Sequence, residues 1–119
     1  MRITPHKKYR GQPCSYVSTG CAYESITSKK FDAPLPEGLR ETGWATLDIL
    51  NRYVRQHLPI KRKIYYRRSE RFKLRNFLEQ NKERAVVCVY GHAIYVDGEN
   101  YWSFFKNLDD DIVCIWYIK

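Results

Sequence analysis

The sequence predicts an α+β fold in which N-terminal helices pack on a C-terminal antiparallel sheet. The first half contains segments with apolar residues at helical spacing, whereas the second half contains short apolar runs joined by turns. The chain has 119 residues, of which 44% are hydrophobic, and this is enough to bury one core. Residues 1–119 are therefore predicted to form a single domain.

The N-terminal segment, residues 1–13, is basic and contains two prolines, so we expect an extended arm with a short edge strand near Ile3. A helix is predicted over residues 14–29. Its inner stripe combines apolar and small residues at spacings of three and four: Val17, Cys21, Ala22, Ser25 and Ile26. Gly20 lowers the helix propensity by about 1 kcal/mol, which suits a close approach to a sheet. The helix is therefore predicted to be central and buried.

The middle of the chain predicts two more helices and a strand. Residues 31–38 form a loop because they hold two prolines and a glycine. An amphipathic helix is predicted over residues 42–58, ended by Pro59. Residues 60–66 alternate as a basic, exposed strand. Ser69 is expected to cap a helix that runs to about Asn81.

Four apolar runs follow, and each is predicted to be a strand. They cover residues 85–90, 93–96, 101–105 and 112–118. The Asp97–Gly98 pair between the second and third runs favours a hairpin turn. The sequence therefore places its sheet in the C-terminal half.

The composition restricts the class of partner. Lys and Arg total 21 against 13 Asp and Glu, a formal charge of +8, which suits an anionic partner. The segment from Lys61 to Arg84 holds ten of the basic residues with interleaved aromatics, so nucleic-acid contact is possible, although a solvated face is favoured. No membrane span of about 18 apolar residues and no signal peptide is recognisable, which predicts a cytoplasmic protein.

The four cysteines form no CxxC pair, so we expect free thiols rather than a zinc ribbon or a disulfide framework. Cys14 stands at a predicted helix start, where unpaired backbone N–H groups favour a thiolate. His92 begins an apolar strand and can accept the thiol proton. Asn107, after the neighbouring strand, can orient the imidazole, and Gln12 can join the Cys14 N–H in stabilising an oxyanion.

Two assignments stay open at this point. Cys21 is the alternative nucleophile, although it belongs to the apolar stripe of the first helix. Asp109 is the alternative to Asn107 as the partner of His92, because a run of three aspartates follows Leu108. Cys14 and Asn107 are preferred because of their local context.

These motifs resemble those of papain-like cysteine peptidases over most of the chain. Residues 100–107, NYWSFFKN, are similar to the family's strand that delivers the catalytic asparagine, and residues 91–96, GHAIYV, are similar to its histidine strand. Residues 74–97 resemble the compact bacteriocin-processing peptidases. Residues 14–17, CSYV, resemble the helix start of NlpC-type hydrolases, and residues 12–14, QPC, weakly resemble the papain glutamine and cysteine.

The resemblance implies a compact papain-like fold and a cysteine hydrolase that acts on a peptide or amide bond without a metal or cofactor. Cys14, His92, Asn107 and Gln12 would be its catalytic residues. The alternative is an inactive papain-like binding module whose basic face contacts nucleic acid or an acidic partner.

Overall fold

A computed structural model describes residues 1–39, 45–105 and 108–119 of the chain. Within these residues the chain is an α+β domain of three α-helices and one six-stranded mixed sheet. The helices and strands follow in the order β1 (Arg2–Ile3), α1 (Cys14–Thr27), α2 (Leu47–His57), β2 (Ile60–Tyr65), α3 (Leu74–Gln80), β3 (Arg84–Val89), β4 (His92–Asp97), β5 (Asn100–Trp102) and β6 (Ile112–Ile118).

The strand order in the sheet is β1-β5-β4-β3-β6-β2. The predicted edge strand near Ile3 is present, but it pairs in parallel with β5, whereas the other neighbouring strands are antiparallel. The strands of the C-terminal half are antiparallel as predicted, and the parallel pair of β1 and β5 makes the sheet mixed. The basic strand β2 lies at the opposite edge, where it pairs with β6 and leaves Lys61, Arg62 and Lys63 exposed.

Helices cover both faces of the sheet. The alternation along β3 sends Val86 to one face and Val87 to the other. On the first face, α1 and α2 bury residues such as Tyr95 and Trp116, and on the second face α3 packs over residues such as Ile94. Helices α1 and α2 therefore lie on one face of the sheet, and α3 lies on the other.

Helix α1 is enclosed on most of its circumference in its first two turns. The buried residues of this helix are Ser15, Val17, Ser18, Thr19, Gly20, Cys21 and Ala22. The predicted single stripe was wrong at Ser25, which is exposed, because the second half of the helix emerges from the core. The helix ends at Thr27, where Ser28 adopts a left-handed φ of 59°.

Two helix starts differ from the prediction. Helix α2 begins at Leu47, because the Thr46 side chain accepts the Ile49 N–H at 3.2 Å and caps the helix. Residues 42–44 of the predicted helix lie outside the described residues. Ser69 caps no α-helix, since it lies in a 3₁₀ turn, Arg68–Glu70, and α3 begins only at Leu74. The Glu70 carboxylate accepts the Arg67 N–H at 3.1 Å and closes that turn on itself.

Strand β5 is shorter than predicted. It ends at Trp102 because Ser103 folds back on Phe105 through its hydroxyl group. All four cysteines are free thiols. Among the described residues, no helix combines the length and the apolar composition needed to cross a bilayer.

Candidate active site

A cleft of about 1090 Å³ opens where the start of α1, the start of β4 and the chain after β5 meet. Gln12, Cys14, His92 and Ser103 all line it. Its wall is largely apolar, with side chains that include Leu47, Leu50, Trp102, Phe104 and Val113. A large apolar cleft with a few polar groups in one place is the usual form of a ligand or substrate site.

Cys14 is the first residue of α1, and Pro13 provides no side-chain cap. Burial raises the pKa of the Cys14 thiol above its ordinary value, whereas the backbone N–H groups of Ala93, Ser15 and Cys14 itself lower it. The sulfur therefore lies beside backbone amides from both α1 and β4. The same amides are suited to stabilise a negative charge that develops next to the sulfur.

His92 is the first residue of β4, and it is half-buried. Its Nε2 lies 3.2 Å from the Ser103 hydroxyl oxygen, and the Phe105 ring meets the imidazole edge-on at 5.5 Å. Burial lowers the pKa of His92, and the carboxylate of Asp110 acts in the opposite direction. The imidazole is therefore neutral near neutral pH and can act as a base.

The hydrogen bonds of Ser103 favour one tautomer of His92. The Ser103 hydroxyl donates to the Phe105 carbonyl at 2.8 Å, and the same oxygen accepts the Phe105 N–H at 3.0 Å. Because the hydroxyl proton points to Phe105, the oxygen is available to accept a hydrogen from His92 Nε2. This pattern leaves Nδ1 with the free lone pair that a general base needs.

The N-terminal strand holds the backbone of Ser103. Arg2 donates from Nε and Nη2 to the Ser103 carbonyl at 3.1 and 3.0 Å. The Ser103 N–H donates to the Ile3 carbonyl at 3.3 Å. Strand β1 therefore fixes the residue that contacts His92.

The other predicted site residues are placed as follows. Gln12 is exposed and lines the cleft just before Cys14. Asn107 lies outside the described residues. Asp109 accepts from Arg75 at 2.9 Å, and the carboxylate that acts on the pKa of His92 is that of Asp110.

Cys21, the alternative nucleophile, lies two turns into α1 and belongs to the apolar core rather than to the lining of the cleft as far as the chain is described. It is 6% exposed. Burial and then the nearby Glu24 carboxylate raise the pKa of this thiol to about 12. These two effects oppose formation of a thiolate at Cys21.

Ser103 is the site residue that sequence reasoning missed. The hairpin register pairs Tyr95 with Trp102 and Val96 with Tyr101, and its continuation would set Phe105 opposite His92. The bend after Trp102 instead turns the Ser103 hydroxyl toward the imidazole. The one available signal was a polar residue directly after the aromatic pair of a short strand.

Within residues 1–39, 45–105 and 108–119, no group of three or more His, Cys, Asp or Glu side chains is arranged to hold a metal ion. No protein-family model matches the chain, and comparisons with curated proteins and with solved structures give no match either. Any assignment of activity therefore depends on the residues of the cleft.

Proposed function

We propose that this protein is a compact papain-like cysteine hydrolase that cleaves a peptide or amide bond, with Cys14 as the nucleophile and His92 as the base. The observation that carries the proposal is that Cys14, at a helix start, and His92, at a strand start, line one cleft in which Ser103 contacts the histidine. A thiol, a neutral imidazole and a third group that orients the ring are the parts of a cysteine nucleophile system.

The reaction begins when the Cys14 sulfur attacks the carbonyl carbon of the substrate and its proton passes to His92 Nδ1. The imidazolium then protonates the leaving amine as the carbon–nitrogen bond breaks, which leaves an acyl group on the sulfur as a thioester. Water attacks the thioester after His92 removes its proton. The products are a carboxylic acid and the regenerated thiol.

The tetrahedral oxyanion needs hydrogen-bond donors in place before the reaction. The Cys14 N–H is suited to this role, since it already acts on the sulfur next to it. The Gln12 amide is the second candidate donor, because its side chain belongs to the exposed rim of the cleft. One such donor is worth about 3 kcal/mol in other enzymes.

Among the described residues, Ser103 is the residue that we propose orients the His92 ring. Asn107 keeps the role that the papain resemblance implies for it, as a second group that can act on the imidazole. Both residues follow β5 in the sequence.

The inactive binding module is less well supported. Its basic face is partly neutralised, because Lys61 and Arg62 both pair with Glu83, and Arg84 pairs with Asp97 at 3.6 Å. Exposed pairs of this kind add little stability, but they reduce the charge available to a polyanion.

The test is acyl transfer to the protein from p-nitrophenyl acetate, with the modified residue located by mass spectrometry. We expect one acetyl group on Cys14 that forms and then hydrolyses. His92→Ala should slow its formation by about a hundredfold, because general-base catalysis is lost.

Cys21→Ala is the matched control, since it removes a buried thiol from the same helix and should leave acetylation of Cys14 intact. Acetylation that is scattered over lysines and other thiols, or that proceeds at Cys14 equally well without His92, would overturn the proposal.

A further inference from the structure

The cleft carries positive charge without a matching negative charge in its lining. Arg68 and Arg71 both line it, and none of its described lining residues is acidic. The carboxylate of Asp110 acts on the pKa of His92, but Asp110 does not belong to the lining. A substrate that enters this cleft therefore meets two guanidinium groups.

These two arginines differ from other cations of residues 61–84. Lys61, Arg62, Arg75 and Arg84 each pair with a carboxylate. Arg68 and Arg71 make no ion pair with any of the described residues, and they share this property with Lys63, Arg67, Lys73 and Lys82. Of these six described cations, Arg68 and Arg71 alone line the cleft. The intervening Glu70 makes no ion pair with either arginine, and its carboxylate accepts the Arg67 N–H at the start of the 3₁₀ turn.

Arg71 is held in position by the backbone. Its Nε donates to the Tyr66 carbonyl at 3.3 Å, which leaves the terminal guanidinium nitrogens available to a ligand. Cys88 lines the same cleft as Cys14. Burial raises the pKa of Cys88 to about 12, and the charge of Arg71 acts in the opposite direction. The charge of Arg71 therefore acts on a residue that lines the same cleft as Cys14.

We propose that Arg68 and Arg71 form an anion-binding subsite of the cleft that receives a carboxylate of an acidic peptide substrate. This inference rests on the proposed function. Guanidinium groups bind carboxylates through paired, charge-assisted hydrogen bonds, and a partly enclosed cleft strengthens such contacts. The aromatic wall formed by Trp102, Phe104 and Phe105 would pack against the apolar part of the same peptide.

The experiment compares two reagents of nearly the same shape, iodoacetate and iodoacetamide, by their rates of alkylation at Cys14 measured by peptide mass spectrometry. The ratio of the two rates cancels the fraction of thiolate, so it reports the preference for a carboxylate beside the sulfur. Arg68→Gln/Arg71→Gln should lower this ratio by about fivefold, which corresponds to about 1 kcal/mol.

The matched control is Arg52→Gln/Arg55→Gln, which removes the same net charge from exposed positions of α2 outside the cleft lining. Its ratio should stay at the wild-type value. An unchanged ratio in Arg68→Gln/Arg71→Gln, or an equal fall in the control, would refute the subsite. If the double variant does not fold, Arg68→Gln alone decides the matter with an expected fall of about twofold.

Protection experiments on the wild-type protein test the class of anion. N-acetylglutamate should slow alkylation of Cys14 by iodoacetamide more than inorganic phosphate does at the same concentration. Preferential protection by phosphate would show a phosphate site and overturn the acidic-peptide assignment. Failure of acetyl transfer at Cys14 would instead reject the hydrolase while leaving the rate ratio as evidence for the subsite.

Discussion

Burial favours the neutral forms of both Cys14 and His92, the two groups proposed to react in the cleft. Burial raises the pKa of the Cys14 thiol and lowers that of the His92 imidazole. Each shift disfavours the charged form, so a thiolate–imidazolium pair is not the resting state. His92 must therefore take the proton during the attack on the substrate rather than before it.

This neutral pair predicts a particular pH dependence. Acetylation of Cys14 by p-nitrophenyl acetate requires neutral His92, whose pKa is lowered, so its rate should rise with pH and level off below the ordinary histidine pKa of about 6.5. Alkylation by iodoacetamide requires the thiolate, so its rate should keep rising with pH and level off only above the ordinary thiol pKa of about 8.5. Both profiles are measured on the same protein by mass spectrometry.

Alkylation of Cys14 that stays fast and constant through acid pH would contradict the neutral pair, because it would reveal a preformed thiolate. His92→Ala is the control, and it should abolish the acetylation inflection near the histidine pKa while leaving the alkylation profile at high pH.

Ser103 is predicted to set the tautomer and orientation of His92. Ser103→Ala removes the group that contacts Nε2 at 3.2 Å, so acetyl transfer should fall between about tenfold and a hundredfold through lost orientation. Nitrogen NMR of the His92 ring should show a single tautomer with unprotonated Nδ1 in the wild type and a mixture in the variant.

Ser18→Ala is the matched control, since Ser18 is a fully buried serine whose hydroxyl donates to the Ser15 carbonyl inside α1. In Ser18→Ala the nitrogen NMR spectrum of the His92 ring should equal that of the wild type. If the His92 ring of Ser103→Ala shows the same single tautomer as the wild type, Ser103 does not set that tautomer.

The candidate site was only partly predictable, because some of its residues depend on local sequence patterns and others depend on contacts between distant segments. Cys14 and Gln12 depend on a helix start, and His92 depends on a strand start, and both features are local in sequence. Ser103 depends on a bend that is stabilised by Phe105 and by the distant strand β1. No periodicity within residues 100–105 reports such a bend.

Among the elements, α1 determines where the nucleophile lies. At Gly20 it packs against Tyr9 and Phe31, which lie outside the sheet that was predicted to approach this glycine, and an added Cβ would come 2.5 Å from the Tyr9 hydroxyl oxygen and 2.9 Å from Phe31 Cδ2. Tyr9 and Phe31 are both buried, so neither ring has space into which it can move. Gly20 therefore determines how closely α1 packs against Tyr9 and Phe31.

Gly20→Ala should destabilise the protein although alanine is the better helix former. The gain in helix propensity is about 1 kcal/mol, whereas overpacking of a buried contact costs about 1 to 3 kcal/mol. Urea unfolding should show a net loss of about 1 kcal/mol. Ser25→Ala, at an exposed position of α1, is the control and should change the stability by less than about 0.5 kcal/mol; a more stable Gly20→Ala would contradict the close packing.

Apolar periodicity predicted the existence of the helices and strands better than their ends. The starts of α2 and α3 were wrong because they depend on hydrogen bonds of single polar groups, Thr46 in one case and Glu70 in the other. Serine is common both at helix caps and in turns. At position 69 the hydrogen bond of the Glu70 carboxylate stabilises the 3₁₀ turn. The layer to which α3 belongs depends on long-range packing that no local pattern expresses.

In the molecule as a whole, the N-terminal strand β1 links the first residues of the chain to the cleft that contains His92 and Ser103. Arg2 and Ile3 hold the backbone of Ser103 from two directions. Arg2→Ala should therefore lower acetyl transfer several-fold with little change in the urea midpoint, since Arg2 is exposed and lies at the sheet edge.

Lys7→Ala is the control for loss of a nearby exposed charge, and it should leave both measurements unchanged. A large loss of global stability in Arg2→Ala, or unchanged acetyl transfer, would show that β1 does not support the site.

Peptide hydrolysis by Cys14 is tested by incubating a degenerate peptide mixture with the wild-type protein and with Cys14→Ala, and by identifying new peptide N-termini by mass spectrometry. We expect new termini with the wild-type protein that are absent with Cys14→Ala, retained with Cys21→Ala, and enriched in acidic residues beside the cleaved bond. Cleavage at equal rates by wild type and Cys14→Ala, or no cleavage by the wild type of a mixture that covers all residue pairs, would contradict it.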